Sequence, residues 1–168
     1  MTTMSSVKKF NAMIILGFSA IFVSSSWSQD TYGDMSVGEI EVPLTQVRNL
    51  GHGELVIVIF EKIDRIEIEM DQAFQVTKSP ATSQNMTVVF KNIPYGEYAV
   101  GIFHDLNKNG RLDTNFFGFP KEDMAVSNNA KDGPLGGPTW QASKIQLSQP
   151  RVVLSAVNLY PFGPATID

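Results

Sequence analysis

The sequence contains no cysteine, which excludes disulfide bonds and thiolate metal sites. Basic residues are also scarce, since 13 Lys and Arg stand against 17 Asp and Glu and give a net charge of −4. Nucleic acids are bound by basic surfaces, so this balance argues against nucleic acid as a partner. Internal repeats and low-complexity tracts are missing too. A chain of 168 residues with this composition fits one domain with one apolar core.

Long apolar runs are rare, and the one that stands out lies at the N-terminus. Lys8 and Lys9 precede the apolar segment FNAMIILGFSAIFV, and the small residues of SSSWSQD follow it. This is the order of a signal peptide, and Ser26 and Ser28 suit the two small-residue positions of its cleavage site. The run is short for a membrane span, which needs roughly 20 residues. We therefore expect residues 1–28 to be removed, the protein to be periplasmic or secreted, and no transmembrane span to remain.

Alternation of apolar and polar residues dominates the chain after a polar stretch at residues 29–37, which we expect to be flexible. Pro43 indicates an edge strand or a strand with a bulge, and the continuous run ELVIVIF indicates a central strand buried on both faces. Residues 61–78 suggest a connection with a short helix or irregular turn. Residues 114–139 are rich in Gly, Pro and Asn and suggest one long irregular loop. Strands are predicted at residues 39–50, 54–60, 86–93, 97–105, 140–147 and 151–160.

This strand pattern predicts an all-β fold. We expect residues 38–168 to form a single antiparallel β-sandwich of about seven strands, Ig-like or prealbumin-like, with the one long irregular loop.

The stretch HDLNKNGRLDTNFFGFP, residues 104–120, follows one of the strongest predicted strands. Its spacing D-x-N-x-N-G-x-x-D matches the first part of an EF-hand loop, in which alternate side chains turn oxygen atoms toward a calcium ion. The match ends at Phe116, which stands where an EF-hand has a bidentate Glu, and the flanks are not helical. The predicted calcium ligands are Asp105, Asn107, Asn109, Arg111 through its carbonyl, and Asp113. Additional ligands or support for the loop would come from Asn115, Glu122, Asn128 or Asn129.

A second interpretation of this stretch needs no ion. The dipeptide Asn109-Gly110 favours a type I′ hairpin turn, and Asp105, Asn107 and Asp113 are residues that bond their own backbone in turns. The residues alone leave both interpretations open.

No arrangement of residues in the sequence compels a catalytic role, and we expect a non-enzymatic protein. His104 beside Asp105 suggests acid–base chemistry, but adjacent residues on a strand face opposite sides, and a buried, hydrogen-bonded histidine is the alternative. His52, between two glycines, indicates an exposed turn. The group Ser127 to Ala130 is expected to hydrogen-bond the long loop to itself.

A binding surface for an envelope glycan or another exported protein is a further hypothesis, and its residues are Phe116, Phe117, Phe119 and Trp140. The same residues could instead cap the core.

The segment from residues 95 to 147 resembles an exported bacterial family, domain of unknown function (DUF) family 2141. The family pattern G-x-Y-A-V, H-D-x-N-x-N-G-x-L-D-T-N, G-x-P-x-E and S-N-N-A is matched at residues 96–100, 104–115, 118–122 and 127–130, and a G-P pair follows at Gly137-Pro138. Ala125, Val126 and the looser segment GPLGGP depart from it. The resemblance covers residues 38–160 and implies a secreted β-sandwich without an established activity. The stretch IPYGEYAV is also similar to strand starts in prealbumin-like and collagen-adhesin-type sandwich domains, which bears on fold alone.

Overall fold

The computed structural model describes residues 36–62, 68, 70–131 and 137–164. The predicted signal peptide, and all but the last two residues of the predicted flexible N-terminus, lie outside the described residues. The strands in chain order are β1 (Val37–Thr45), β2 (Glu54–Phe60), β3 (Gln75–Ser79), β4 (Met86–Pro94), β5 (Gly96–Asp105), β6 (Met124–Val126), β7 (Ile145–Leu147), β8 (Arg151–Val153) and β9 (Val157–Asn158). A helix α1 (Trp140–Ser143) and 3-10 turns at Met70–Gln72 and Ser127–Asn129 complete the described elements. Within this part of the chain, no helix is long and apolar enough to cross a bilayer.

The strands form two sheets, as the predicted sandwich requires. In sheet A, β1 lies between β4, which is antiparallel to it, and the successive short strands β8 and β9, which are both parallel to it. In sheet B the order is β3-β2-β5-β6, and β7 also pairs with β5. The all-β sandwich is confirmed, with the difference that sheet A is mixed because β8 and β9 run parallel to β1.

β2, a central strand of sheet B, is apolar and buried on both faces. Leu55, Ile57 and Ile59 belong to the core that also includes residues of sheet A. Val56, Val58 and Phe60 belong to a second apolar cluster on the opposite face. The prediction that ELVIVIF is a central strand buried on both sides is therefore confirmed.

The second face of sheet B is covered by the chain that follows β5. Leu112, Met124, Ala130 and Trp140 all pack in this outer cluster together with Phe103 of β5. Trp140 is only 9% exposed, so the hypothesis that it belongs to a binding surface is wrong. Its indole is a core side chain, because it packs on apolar side chains of β2 and β5 on the second face of sheet B.

Ser127 fills a gap in the hydrogen bonding of β5. On one edge of β5, β6 pairs with residues 101–103 and β7 pairs with residues 96–98, so neither strand reaches the stretch between them. There the fully buried Ser127 Oγ accepts a hydrogen bond from Val100 N at 3.0 Å and donates one to Ser143 O at 2.5 Å. One hydroxyl therefore takes the place of a missing strand neighbour and ties α1 to the sheet.

Of the two alternatives predicted from Pro43, the edge strand is wrong, because β1 lies between β4 and β8. β1 does carry a register shift of the kind that a bulge produces, between Gly38 and Ile40. The parallel pairing of β1 covers residues 39–41 with β8 and residues 44–45 with β9. Pro43 falls in the break between these two pairings, where its missing amide hydrogen removes no ladder bond on that side.

Three other segments differ from the predicted elements. Residues 140–143 are helical and only residues 145–147 form a strand, while the predicted strand at 151–160 is split into β8 and β9 because each pairs with a different part of β1. The connection at 61–78 does contain a 3-10 turn, but it ends in β3, and residues 63–67 and 69 lie outside the described residues. The predicted irregular loop at 114–139 contains β6 and a 3-10 turn.

We expect Ser127→Ala to lower the free energy of unfolding by about 2–4 kcal/mol. It leaves Val100 N and Ser143 O buried without this partner, and each such group costs about 1–3 kcal/mol. Urea denaturation measures the change. The matched control is Ser148→Ala, because Ser148 is exposed and its loss should stay within about 0.5 kcal/mol. Equal stability of the two variants would contradict the role given to Ser127.

Candidate functional site: a carboxylate-ordered loop and a phenylalanine hairpin

The candidate site begins where β5 leaves sheet B. Asp105 is the last residue of β5 and is fully buried. Opposite it, Gly53 precedes β2 with φ +61, and a Cβ built there would lie 2.4 Å from Asp105 O and 2.7 Å from Leu106 Cα. Only a residue without a side chain fits this close approach. The turn at residues 51–53 therefore packs directly against the backbone at the start of the loop.

The Asp105 carboxylate orders the first part of the loop. Its Oδ1 accepts a hydrogen bond from Asn109 N at 3.1 Å and its Oδ2 accepts one from Gly110 N at 2.7 Å. The side-chain oxygens of Asn107 and Asn109 accept the amides two residues further on, Asn109 N at 3.1 Å and Arg111 N at 2.8 Å. These contacts curl residues 105–111 around the Asp105 carboxylate.

Asp113 closes this part of the loop from the other side. Asn107 Nδ2 donates to Asp113 Oδ2 at 2.7 Å, and Asn109 Nδ2 lies 3.0 and 3.1 Å from the two carboxylate oxygens. The side chains of all four residues at the predicted ligand positions 105, 107, 109 and 113 are thus joined in one network. Arg111 is exposed, and its backbone amide takes part in the same network.

Glu122 braces the loop across its base. Its side chain is buried, and its two oxygens accept Leu106 N at 3.0 Å and Asp113 N at 3.1 Å. Burial raises the pKa of the Glu122 carboxyl above its usual range, the two amides oppose this shift, and the charges of Asp105 and Asp113 add to it. Glu122 was predicted as a further ligand or support, and it does support the loop.

The neighbouring carboxylate, Asp123, has a cation of its own. Arg48 Nε and Nη2 donate to its two oxygens at 2.8 and 2.6 Å, and Gly163 N donates at 2.9 Å. By contrast, none of the ion pairs within the described part of the chain includes Asp105, Asp113 or Glu122. The hydrogen bonds to these three carboxylates therefore come from backbone and asparagine amides.

The type I′ turn expected at Asn109-Gly110 is not formed. Such a turn needs positive φ at both central residues, but the positive angles fall on Lys108 (φ 59) and Gly110 (φ 77) and not on Asn109. The expectation that Asn107 bonds the nearby backbone is confirmed. The hairpin lies further on, where Thr114 pairs with Pro120 and Lys121 N bonds to Asp113 O at 2.8 Å.

The tip of this hairpin, residues 115–120, is held by Asn115. Its Oδ1 accepts Phe117 N at 2.9 Å and Phe119 N at 3.1 Å, and its backbone bonds to Phe119 O and to Gly118 N. Gly118 has φ +82, which favours glycine. Asn115 therefore acts within the tip and makes no bond to the network around Asp105.

The tip exposes three aromatic rings. Phe116 is 97% exposed, Phe117 80% and Phe119 63%, and the first two rings meet edge to face with centroids 5.5 Å apart. Rings this exposed contribute nothing to the core. Of the four aromatic residues in the predicted binding surface, these three are brought together and Trp140 is not.

Two asparagines predicted as further ligands serve other segments. Asn128 Nδ2 bonds to Ala142 O and Lys144 O, while Asn129 bonds to Ala156 O and to the amide of Asn158. Both residues have positive φ, 61° and 52°. They bond the segment after β6 to α1 and β9, and they do not take part in the network around Asp105.

His104 is fully buried on β5. Its Nε2 lies 2.8 Å from His52 O, and its Nδ1 has no hydrogen-bond partner. The alternative predicted from the sequence, a buried and hydrogen-bonded histidine, describes the position of His104. His52 is exposed in the turn that precedes β2.

Two features of the site have no local signal in the sequence. The Arg48–Asp123 pair joins residues far apart in the chain, and the close approach of Gly53 to Asp105 depends on the register of β2 against β5. The only local indication of the close approach of Gly53 is that a glycine stands directly before a strand.

The family comparison covers both the loop and the tip. A family model described as "Uncharacterized protein conserved in bacteria (DUF2141)" matches residues 42–154. The chain belongs to the DUF2141 family. The match runs from within β1 to the residue after β8, so the DUF2141 region includes both sheets, the carboxylate-ordered loop and the phenylalanine hairpin. Searches of curated proteins and of solved structures found no match.

We expect Gly53→Ala to destabilise this DUF2141 chain by about 2 kcal/mol more than Gly51→Ala. Both glycines have positive φ, but a Cβ at Gly51 meets open space, whereas one at Gly53 overlaps Asp105. Strain at positive φ is common to the two variants, and overpacking adds about 1–3 kcal/mol at Gly53 alone. Urea denaturation of the matched pair checks this, and equal losses would contradict the tight contact.

Proposed function

We propose that this is an exported, non-enzymatic protein that binds a component of the bacterial cell envelope through the tip of its hairpin. The observation that carries the proposal is the exposure of Phe116, Phe117 and Phe119, three large apolar rings on one short turn. Apolar side chains that gather outside the core mark interaction sites. The N-terminal segment with its paired lysines, apolar run and small residues supports export.

The rigidity of the tip supports a binding role. Asn115 holds the amides of Phe117 and Phe119, and the base of the hairpin is fixed by the bond from Lys121 N to Asp113 O. A contact surface that is ordered before binding loses less conformational entropy when its ligand arrives. The three rings are therefore presented in a ready-made arrangement.

We also propose that a calcium ion stabilises the loop that carries the hairpin. The specific observation is the contrast between Asp123, which is paired with Arg48, and the group Asp105, Asp113 and Glu122, which has no such ion pair among the described residues. A hard divalent cation with oxygen ligands would offset the repulsion between these carboxylates. Such an ion would be structural and would hold the base of the hairpin against the sheet.

The available donors fit calcium in part. No three His, Cys, Asp or Glu side chains converge as a metal site in the described portion of the chain, so oxygens of Asn107, Asn109 and the Arg111 carbonyl would be needed. The two Asn side chains point their nitrogens at Asp113, and ligation requires that they turn their oxygens inward. Few carboxylates imply weak binding, with Kd of roughly 10⁻⁴–10⁻³ M. The alternative is a loop closed by its own hydrogen bonds.

The calcium proposal predicts that about 10 mM calcium raises Tm by about 3–8 °C relative to chelator, from the mass action of a site with this affinity. Asp105→Asn should abolish both this shift and the heat of calcium binding measured by calorimetry. Asp71→Asn is the matched control, because Asp71 is an exposed acid outside the loop. No heat and no shift in the unmodified chain would leave the self-closed loop as the correct interpretation.

The binding proposal predicts that the double variant Phe116→Ser, Phe117→Ser loses at least about tenfold of its affinity for an isolated envelope fraction. Burial of one such ring contributes about 1.5–3 kcal/mol. Stability should change by less than about 0.5 kcal/mol, since neither ring touches the core. Co-sedimentation measures the affinity and urea denaturation the stability.

The control for this experiment is Tyr95→Ser. Tyr95 is an exposed aromatic residue, 37% accessible, next to the first residue of β5, at the opposite end of that strand from the loop. Its variant should bind like the unmodified chain. Undiminished binding by the double Phe variant would overturn the role of the tip.

A further inference from the structure

We propose that the ligand of the hairpin tip is the surface of a lipid bilayer that contains anionic lipid, into which the three rings insert. This inference rests on the proposal that the tip is the contact surface, and it names the class of ligand. It is drawn from the chemistry of the tip backbone, of its side chains and of the charges around its base.

Four of the five backbone amides of the tip are satisfied from within, and so are the carbonyls of Asn115 and Phe119, which lowers the free-energy cost of moving the tip into an apolar phase. The amides of Asn115, Phe117, Gly118 and Phe119 bond to atoms of the tip itself, and Pro120 has no amide hydrogen. An unsatisfied backbone group in hydrocarbon is unfavourable by several kcal/mol. An ordinary surface turn can leave these groups to water, so the internal bonding here suits a non-aqueous environment.

The side chains of the tip are apolar without interruption. Residues 116–120, FFGFP, contain no polar side chain, and the Asn115 oxygen is already used by two amides of the tip. A glycan site needs polar groups beside its rings to satisfy the sugar hydroxyls. This tip offers few, which disfavours a sugar and favours acyl chains.

The size of the tip disfavours a protein partner. A stable protein interface buries roughly 800 Å² on each side, while a Phe side chain buries about 150–250 Å². Three rings on one narrow hairpin fall short of that area. A lipid surface has no such minimum, because each inserted ring contributes independently.

Charge around the hairpin base complements an anionic surface. Segment 106–121 contains three basic residues, Lys108, Arg111 and Lys121, and one acid, Asp113, although the whole chain is acidic. All three basic side chains are exposed, and none takes part in an ion pair among the residues that the structure describes. The nearby acids Asp105 and Glu122 are turned inward and buried. The base of the tip therefore presents positive charge where lipid headgroups would lie.

The experiment is flotation of the purified chain with vesicles of phosphatidylethanolamine and phosphatidylglycerol, in chelator so that calcium plays no part. The chain and its variants are used without residues 1–28, the predicted signal peptide, so its apolar segment does not bind the vesicles and differences between variants belong to the tip. The double variant Phe116→Ser, Phe117→Ser should lower the partition coefficient by about 100-fold, or about tenfold for each ring. Lys108→Gln combined with Lys121→Gln should lower it by about 5–30-fold, and only on anionic vesicles at low salt. Tyr95→Ser should bind like the unmodified chain.

A second variant reports insertion directly. Phe117→Trp keeps an aromatic ring, and its emission should shift to the blue with vesicles and be quenched by lipids brominated on the acyl chains. Trp140 is common to this variant and the unmodified chain, so the difference between their spectra isolates position 117. Quenching equal to that of the unmodified chain would overturn insertion.

The outcomes separate this inference from the proposed function. If envelope binding depends on the Phe residues but vesicles are not bound, the lipid inference is overturned, while the tip remains a contact surface for a glycan or a protein. Dimerisation that disappears in the Phe variant, without vesicle binding, overturns it in favour of a second copy of the chain. If the Phe variants bind the envelope fraction undiminished, the proposed function itself fails.

Discussion

The two central strands of sheet B are buried on both faces, and the rest of the structure depends on this constraint. Sheet A covers one face and leaves Val56, Val58 and Phe60 of β2 to be shielded on the other. The chain after β5 supplies that shield with Leu112, Trp140 and their neighbours. The described part of the stretch rich in Gly, Pro and Asn therefore contributes a layer to the fold. The hairpin at residues 114–120 projects from this layer, and its base is held by the hydrogen bond from Lys121 N to Asp113 O.

Polar groups hold this layer where strands are absent. Ser127 occupies the gap between β6 and β7 on the edge of β5. Asp105 and Glu122 bond the backbone of the loop where it leaves the sheet. In each case a buried side chain satisfies backbone amides that would otherwise be orphaned, which is unfavourable in an apolar interior. The same carboxylates repel one another, since the charges of Asp105 and Asp113 add to the raised pKa of Glu122.

Local signals in the sequence predicted local structure well. The run ELVIVIF predicted a strand buried on both faces, and it is found. Asp105 and Asn107 bond the nearby backbone as expected, whereas the type I′ turn predicted at Asn109-Gly110 is not formed. The break between β8 and β9 depends on distant partners, because each pairs with a different part of β1. The prediction that grouped four aromatic residues in one surface was partly wrong for the same reason. Apolar rings are usually buried, and only the second face of sheet B determines that Trp140 is inside while Phe116 is outside.

The tip is energetically separate from the body that carries it. Asn115 satisfies its backbone, and Phe116 and Phe117 give nothing to either apolar cluster. Substitutions at these positions should therefore leave folding nearly unchanged. If the tip is the contact surface we propose, its side chains can be exchanged to suit a different ligand, provided that Asn115 and Gly118, which shape the turn, stay. Sequence variation confined to residues 116, 117 and 119 would be a record of changing ligands on an unchanging fold.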